Sequence, residues 1–122
     1  MTSLAEWDEK HRAHDGPPPE PAEIVRELLP LLPHGPVLDL ACGTGRNTLL
    51  LAGRRQPVTA VDGSVIALEI LEERSHEVKI PTSRAQANGN VGASRKGILA
   101  VQADLERAHL VPRSFSVILC VN

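Results

Sequence analysis

The sequence predicts an α/β fold, a Rossmann-like, doubly wound parallel sheet. Three observations carry this. Val37-Leu38-Asp39-Leu40 is a short apolar run that breaks into a glycine turn, Gly43-Thr44-Gly45, and then into a helical leucine face from Arg46 to Arg55. Val58 to Val61 and Ile98 to Gln102 are further short runs, ending at Asp62 and just before Asp104. Strands separated by helices need crossover connections, which are right-handed and make the pairing parallel.

The elements follow in order. Residues 1–14 are polar and suit a short helix. Asp15 to Pro21 (DGPPPEP) is a stiff, extended spacer. Its Pro18-to-Pro21 spacing also fits an SH3-type ligand, but a linker explains it without a partner. Residues 1–20 are thus set apart from a domain over 21–122. From Pro21 to about Leu29, Ile24, Val25, Leu28 and Leu29 share a helical face. Pro21 suits the first turn, and Pro30 and Pro33 end the helix.

Ser64 is an N-cap for a helix from Val65 to about Val78, without the capping-box partner, since Ala67 stands three residues on. Pro81 to Gly97 (PTSRAQANGNVGASRKG) is polar and rich in Gly, Ser and Asn, which predicts a mobile loop. Its Arg84, Arg95 and Lys96, with no acid among them, also suit an anion contact. Phe115 to Val121 is the fourth strand. No internal repeat is visible.

Composition narrows the function. A chain of 122 residues allows one domain. With 42% apolar and 23% charged residues it has a globular balance, not a disordered one. Only Trp7 and Phe115 are aromatic, so the core is aliphatic and no base-stacking platform is available. A net charge of −2 gives no basic excess for phosphate backbones, so no nucleic-acid partner is expected.

No apolar run approaches the ~20 residues of a membrane span, so no membrane contact is expected. MTSLAEWDEKHR lacks the apolar stretch of a signal peptide. Cys42 and Cys120 do not make a disulfide framework, and a cytoplasmic compartment with reduced thiols is expected. The histidines at 11, 14, 34, 76 and 109 show no metal-ligand spacing, so no metal site is expected.

Three features coincide at the predicted carboxyl edge of the sheet. The glycine turn opens a helix whose first N–H groups are free for an anion. Asp62 ends the second strand, where an acid takes the ribose hydroxyls of a nucleoside. Asp104 follows the third, beside the expected adenine position. Each alone has a plain reading, as an ordinary turn or a helix cap. Together, in order and phase, they indicate a nucleoside-cofactor site.

Thr48 stands where a dinucleotide fingerprint needs a third small residue. Asp39 would repel a pyrophosphate and favour a cationic cofactor bearing an ammonium and a sulfonium. Asp39 also suits a hydrogen bond to backbone N–H groups of its own loop, and both roles can coexist.

VLDLACGTGRNTLLLA resembles the first motif of class I S-adenosylmethionine (SAM)-dependent methyltransferases. VTAVDGS is similar to their second motif, VQADLE to their third and FSVILCVN to their fourth strand. The Gly43-to-Thr48 string and WDEKH resemble the tellurite-resistance-type branch. The resemblance covers most of residues 5–122 and implies SAM as cofactor.

By that resemblance Asp39 and the loop Ala41, Cys42, Gly43, Thr44 and Gly45 hold the methionine moiety. Asp62 binds the ribose, with Gly63 packed nearby. Asp104 reaches the adenine amino group and the Leu105 N–H the ring. Trp7 and Arg12 match a segment that closes over the cofactor, a surface helix being the plainer alternative.

There are departures. Ala41 replaces the frequent first glycine, and the loop before the third strand is long. The chain supplies only the first strands of the family's sheet, with an expected order 3-2-1-4, so an N-terminal portion of the fold is expected. Strand four is then an exposed apolar edge, and instability, self-association or a partner chain is expected.

Methyl transfer rests mainly on positioning and electrostatics. A general base usually lies at or beyond the end of strand four, where only Asn122 remains, a residue that could begin an N-P-P-[YF]-type motif. No catalytic residue is assigned, and the acceptor is expected to be a small molecule. Two other readings stand beside this one: a non-catalytic SAM-binding or interaction module, and an NAD-dependent oxidoreductase fragment, against which Thr48 and Asp39 count.

Overall fold

A computed structural model describes residues 3–12, 19–86, 90–111 and 113–121. His14, the Pro18 end of the P-x-x-P spacing and Asn122 lie outside the described residues. The helices are α1 (Leu4–Arg12), α2 (Glu23–Leu28), α3 (Arg46–Gly53) and α4 (Val65–Glu77). The strands are β1 (Val37–Leu40), β2 (Val58–Asp62), β3 (Thr82–Gln86), β4 (Asn90–Val91), β5 (Ile98–Gln102), β6 (His109–Leu110) and β7 (Val117–Leu119).

The main sheet has the order β3-β5-β2-β1-β7, and every neighbouring pair is parallel. The strands expected from the sequence are β1, β2, β5 and β7, so the order 3-2-1-4 is present, with β3 added at the outer edge. The fourth strand is shorter than the apolar run that predicts it.

Alternation of side chains divides the core by sheet face. Val37, Val58, Ala60, Ile98 and Ala100 pack with Leu51 of α3 and Leu68 and Leu71 of α4. Leu38, Val61 and Val101 face the other way and pack with Val91, Ala103, Ala108 and Phe115. That second face is covered by the β4–β6 pair and its flanking loops.

The loop expected over 81–97 is corrected in part. Thr82–Gln86 is a strand in register with β5, from Thr82 opposite Ile98 to Gln86 opposite Gln102. It has no apolar face, because backbone pairing to the edge of β5 suffices to hold it. Its side chains add polar ties: Thr82 Oγ1 to Ser75 Oγ at 2.6 Å and Arg84 Nε to Glu72 Oε1 at 2.5 Å. Arg84 is thereby paired with a carboxylate, whereas among the described residues Arg95 and Lys96 have no such pair.

Farther along, the Thr59 hydroxyl donates to the Gly92 carbonyl at 3.1 Å and accepts from the Ser94 N–H at 2.8 Å. These bonds lay the crossover on the sheet.

Two helices refine the expectation. α2 buries Val25, while Ile24 and Leu28 are exposed. It is short and gives way to a 3-10 turn at Leu29–Leu31, so only part of the predicted face reaches the sheet. α4 begins as predicted, with Ser64 Oγ accepting from the Ala67 N–H at 3.1 Å.

Gly97 has a φ of +61°, and a Cβ there would lie 2.2 Å from the Pro81 carbonyl oxygen. Both strand starts depend on this contact, since Ile98 N–H donates to Pro81 and Val58 N–H to Gly97. Gly97→Ala is expected to destabilise the fold by about 2–4 kcal/mol through left-handed strain and overpacking. Gly53→Ala, where a Cβ meets nothing within 4 Å, serves as the control and is expected to change stability little. Thermal melting of both variants checks this, and equal midpoints would remove the constraint assigned to Gly97.

Candidate functional site

The carboxyl ends of β1, β2 and β5 lie side by side, because the strands are parallel and paired in register. The turn after β1 is built from left-handed residues: Ala41 at φ 55°, Gly43 at 59° and Gly45 at 91°. At Gly45 a Cβ would sit 2.2 Å from Leu71 Cδ1, so a larger residue would strain the left-handed backbone and push the buried Leu71 side chain aside. Ala41 takes its left-handed position at a cost of about 1–2 kcal/mol that glycine would not incur.

Hydrogen bonds fix the turn. Cys42 N–H donates to the Val61 carbonyl at 3.1 Å, and Gly43 N–H to Asp62 Oδ2 at 2.9 Å. Arg74 of α4 donates to Thr44 Oγ1 at 2.6 Å. The start of α3 has no side-chain cap, which leaves its first-turn N–H groups available to an anionic group.

Asp62 accepts from the loop with one oxygen and from Ser64 N–H at 2.9 Å with the other. It therefore joins the β1 turn to the start of α4. Each oxygen keeps a lone pair for a further donor.

Asp39 is 2% exposed and accepts from the Thr48 hydroxyl at 2.7 Å. Burial pushes its pKa up to about 6, and the neighbouring Asp62 charge adds to the rise. The Thr48 hydrogen bond and the Arg46 charge oppose it. The bond expected from Asp39 to its own loop goes instead to Thr48 on α3, and Asp62 takes the Gly43 N–H. Burial, with the charges of both aspartates, also pushes the Cys42 thiol up. Cys42 and Cys120 are both free.

Asp104 and Leu105 sit on an exposed turn, held beside Asp62 by the Ala103 N–H to its carbonyl at 3.2 Å. Asp104 Oδ1 accepts from the Glu106 N–H at 3.0 Å, and Oδ2 lies 3.7 Å from Arg107 Nε. Gly63 lies near Leu4 of α1. On that helix Lys10 Nζ stands 4.6 Å from the Trp7 ring centroid and Arg12 pairs with Glu9 at 3.0 Å.

Three supporting residues escape a reading by spacing. Thr48, a mismatch to the dinucleotide pattern, holds Asp39. Asn47 Oδ1 accepts from Ala22 N–H at 2.9 Å and docks the start of α2. Asp8 accepts from the Ser64 hydroxyl, fastening α1 beside Gly63. A short polar residue at the first turn of α3 was the one visible signal, and it fits Asn47 and Thr48 alike.

Chemically, the edge offers backbone N–H groups and two close carboxylates, one of them buried and held from full ionisation. A cationic group placed here would restore the Asp39 charge.

Comparison with known proteins bears on the family and the fold. The methyltransferase domain family matches residues 37–122. A protein solved in work on the conversion of a disulfide bond into a thioacetal group during echinomycin biosynthesis is 26% identical, with a TM-score of 0.55. The match covers 83% of this chain and 39% of that one.

The magnesium protoporphyrin IX methyltransferase of Synechocystis PCC 6803, solved with bound SAM, is 19% identical with a TM-score of 0.51 and shares the fold. That match covers 84% of this chain and 39% of the enzyme. The chain thus spans about two-fifths of the length of either. No curated protein matches it in sequence. With a family match over more than half its length and the strand order of the class I fold, the chain belongs to the methyltransferase domain family.

Proposed function

We propose that the chain binds SAM at the carboxyl edge of the sheet, as the cofactor-binding part of a methyltransferase acting on a small-molecule acceptor. The observation that carries this is the pair Asp39 and Asp62 around the glycine turn. Asp62, already set by two backbone N–H groups, accepts from the ribose hydroxyls. Asp39 and residues 41–45 receive the methionine end, where a carboxylate would repel a pyrophosphate. Gly63 packs nearby, and Asp104 and the Leu105 N–H meet the adenine.

The bound cofactor supplies an electrophilic methyl group on a sulfonium. The chain's own part is to orient that group and to balance its charge through the Asp39 carboxylate.

Both solved neighbours are tied to small molecules, one to echinomycin biosynthesis and one to magnesium protoporphyrin IX, which supports a small-molecule acceptor. The outer edge of β7, where Ile118 is 55% exposed, suits pairing with a further strand or chain. Two free thiols fit a cytoplasmic setting, and no helix among the described residues is long and apolar enough to cross a membrane.

Thermal melting with S-adenosylhomocysteine, and separately with NAD, tests the reading. A ligand at about 100 times its dissociation constant adds ~2.7 kcal/mol. The midpoint is then expected to rise by roughly ten degrees with S-adenosylhomocysteine alone. A rise with NAD instead would favour an oxidoreductase fragment, and no rise with either would favour an interaction module.

A further inference from the structure

An open cleft of about 600 Å³ lies at the opposite end of the sheet, where the chain enters β2 and β5 and where α3 and α4 end. Leu49, Ala52, Val78 and Ile80 give it an apolar wall. Among the described residues its lining also carries Arg55, Lys79, Arg95 and Lys96, and no acidic residue.

Two of these cations follow helix ends, Arg55 at φ 66° and Lys79 at φ 60°. Glycine is the residue that such left-handed positions favour, and a basic side chain there is explained in part by the helix dipole. Arg95 and Lys96 follow no helix, so the dipole does not account for them. Their loop is held in place: Ser94 Oγ donates toward the Lys96 and Gly97 carbonyls at 3.1 and 3.3 Å. The two helix C-termini contribute about half a negative charge each, which four full positive charges outweigh.

One lining residue is polar and buried. Gln56 lines the cleft and is 2% exposed. Its Nε2 donates to the Pro33 and Gly35 carbonyls at 3.0 and 3.1 Å. Its Oε1 is the one buried side-chain oxygen among the described residues with no hydrogen-bond partner. That oxygen is an acceptor out of reach of solvent, so a phosphate does not satisfy it, and the case for the cleft rests on its apolar wall and its cations.

We propose that this cleft is a second binding site, for a small phosphate monoester with an apolar body. The apolar wall takes the body, and the four cations match a head group carrying more than one negative charge. Cofactor and anion would then occupy opposite ends of the sheet.

Phenyl phosphate, titrated into the protein and followed by amide NMR, is the test, with inorganic phosphate and benzyl alcohol as comparators. Saturable shifts are expected at Gly53, Gln56, Lys79 and Gly97, with affinity at least tenfold above that for inorganic phosphate and no saturation by benzyl alcohol. The exposed double variant Arg95→Gln, Lys96→Gln is expected to weaken phenyl phosphate at least tenfold with an unchanged melting midpoint. Lys79→Gln reads the same loss independently. Shifts elsewhere, equal affinity for inorganic phosphate, or unchanged affinity in both variants would overturn the site.

Discussion

Asp39→Asn is expected to stabilise the ligand-free protein above pH 7, by at most about 3 kcal/mol, while weakening SAM binding at least tenfold. Moving a carboxyl from 3.8 to about 6 on folding corresponds to about 3 kcal/mol. The folded state holds the proton more tightly, so the stabilising protonated form is fully populated below about pH 4. That stability is lost as pH rises through about 6.

Asparagine keeps an acceptor for the Thr48 hydroxyl and carries no charge to bury, while its buried amide N–H donors take back part of the gain. Urea unfolding between pH 4 and pH 8 checks this. The parent is expected to lose stability from this group over that rise, and the variant not to show that loss. Equal pH profiles would remove Asp39 as the buried, raised carboxyl.

Binding has the opposite sign. A cationic cofactor needs Asp39 ionised, so SAM affinity is expected to fall as pH drops below about 6. The variant is expected to be flat in that range and to penalise SAM more than S-adenosylhomocysteine, which lacks the sulfonium charge. Calorimetric titration of both ligands reads this. An equal loss for the two would put Asp39 at the ammonium or at neither group.

Asp62→Ala is expected to lower affinity for either ligand a hundredfold or more and to destabilise the ligand-free fold by about 1–3 kcal/mol. The carboxylate accepts from Gly43 and Ser64 N–H, so its loss leaves both donors without their charged partner. Removing its charge also relieves Asp39, which offsets part of that destabilisation. Asp62→Asn keeps one strong acceptor and is expected to retain most stability yet lose much affinity. Affinity unchanged in both variants would take the ribose away from Asp62.

Asp39, Asp62 and Asp104 were readable as site candidates because each stands at or just beyond a short apolar run. Ser64 was readable as a cap because a cap's partner lies three residues away. β3 was not, because Thr82-Ser83-Arg84-Ala85-Gln86 shows no apolar alternation and is held by backbone pairing to β5. Thr48 was read only against a glycine pattern, since its bond to Asp39 spans a strand, a turn and a helix. Asp8 meets Ser64 across a sequence separation of 56, a distance no local spacing reports.

The sequence by itself determined the four apolar strands, their alternation with helices and the glycine turn. These rest on local rules: apolar period, left-handed backbone and helix caps. The tertiary structure decided which donors each aspartate accepts from, that Asp39 is held near pKa 6, and that four cations meet around an apolar cleft. Those depend on burial and on neighbours brought together from distant positions, which the spacing of residues along one chain does not carry.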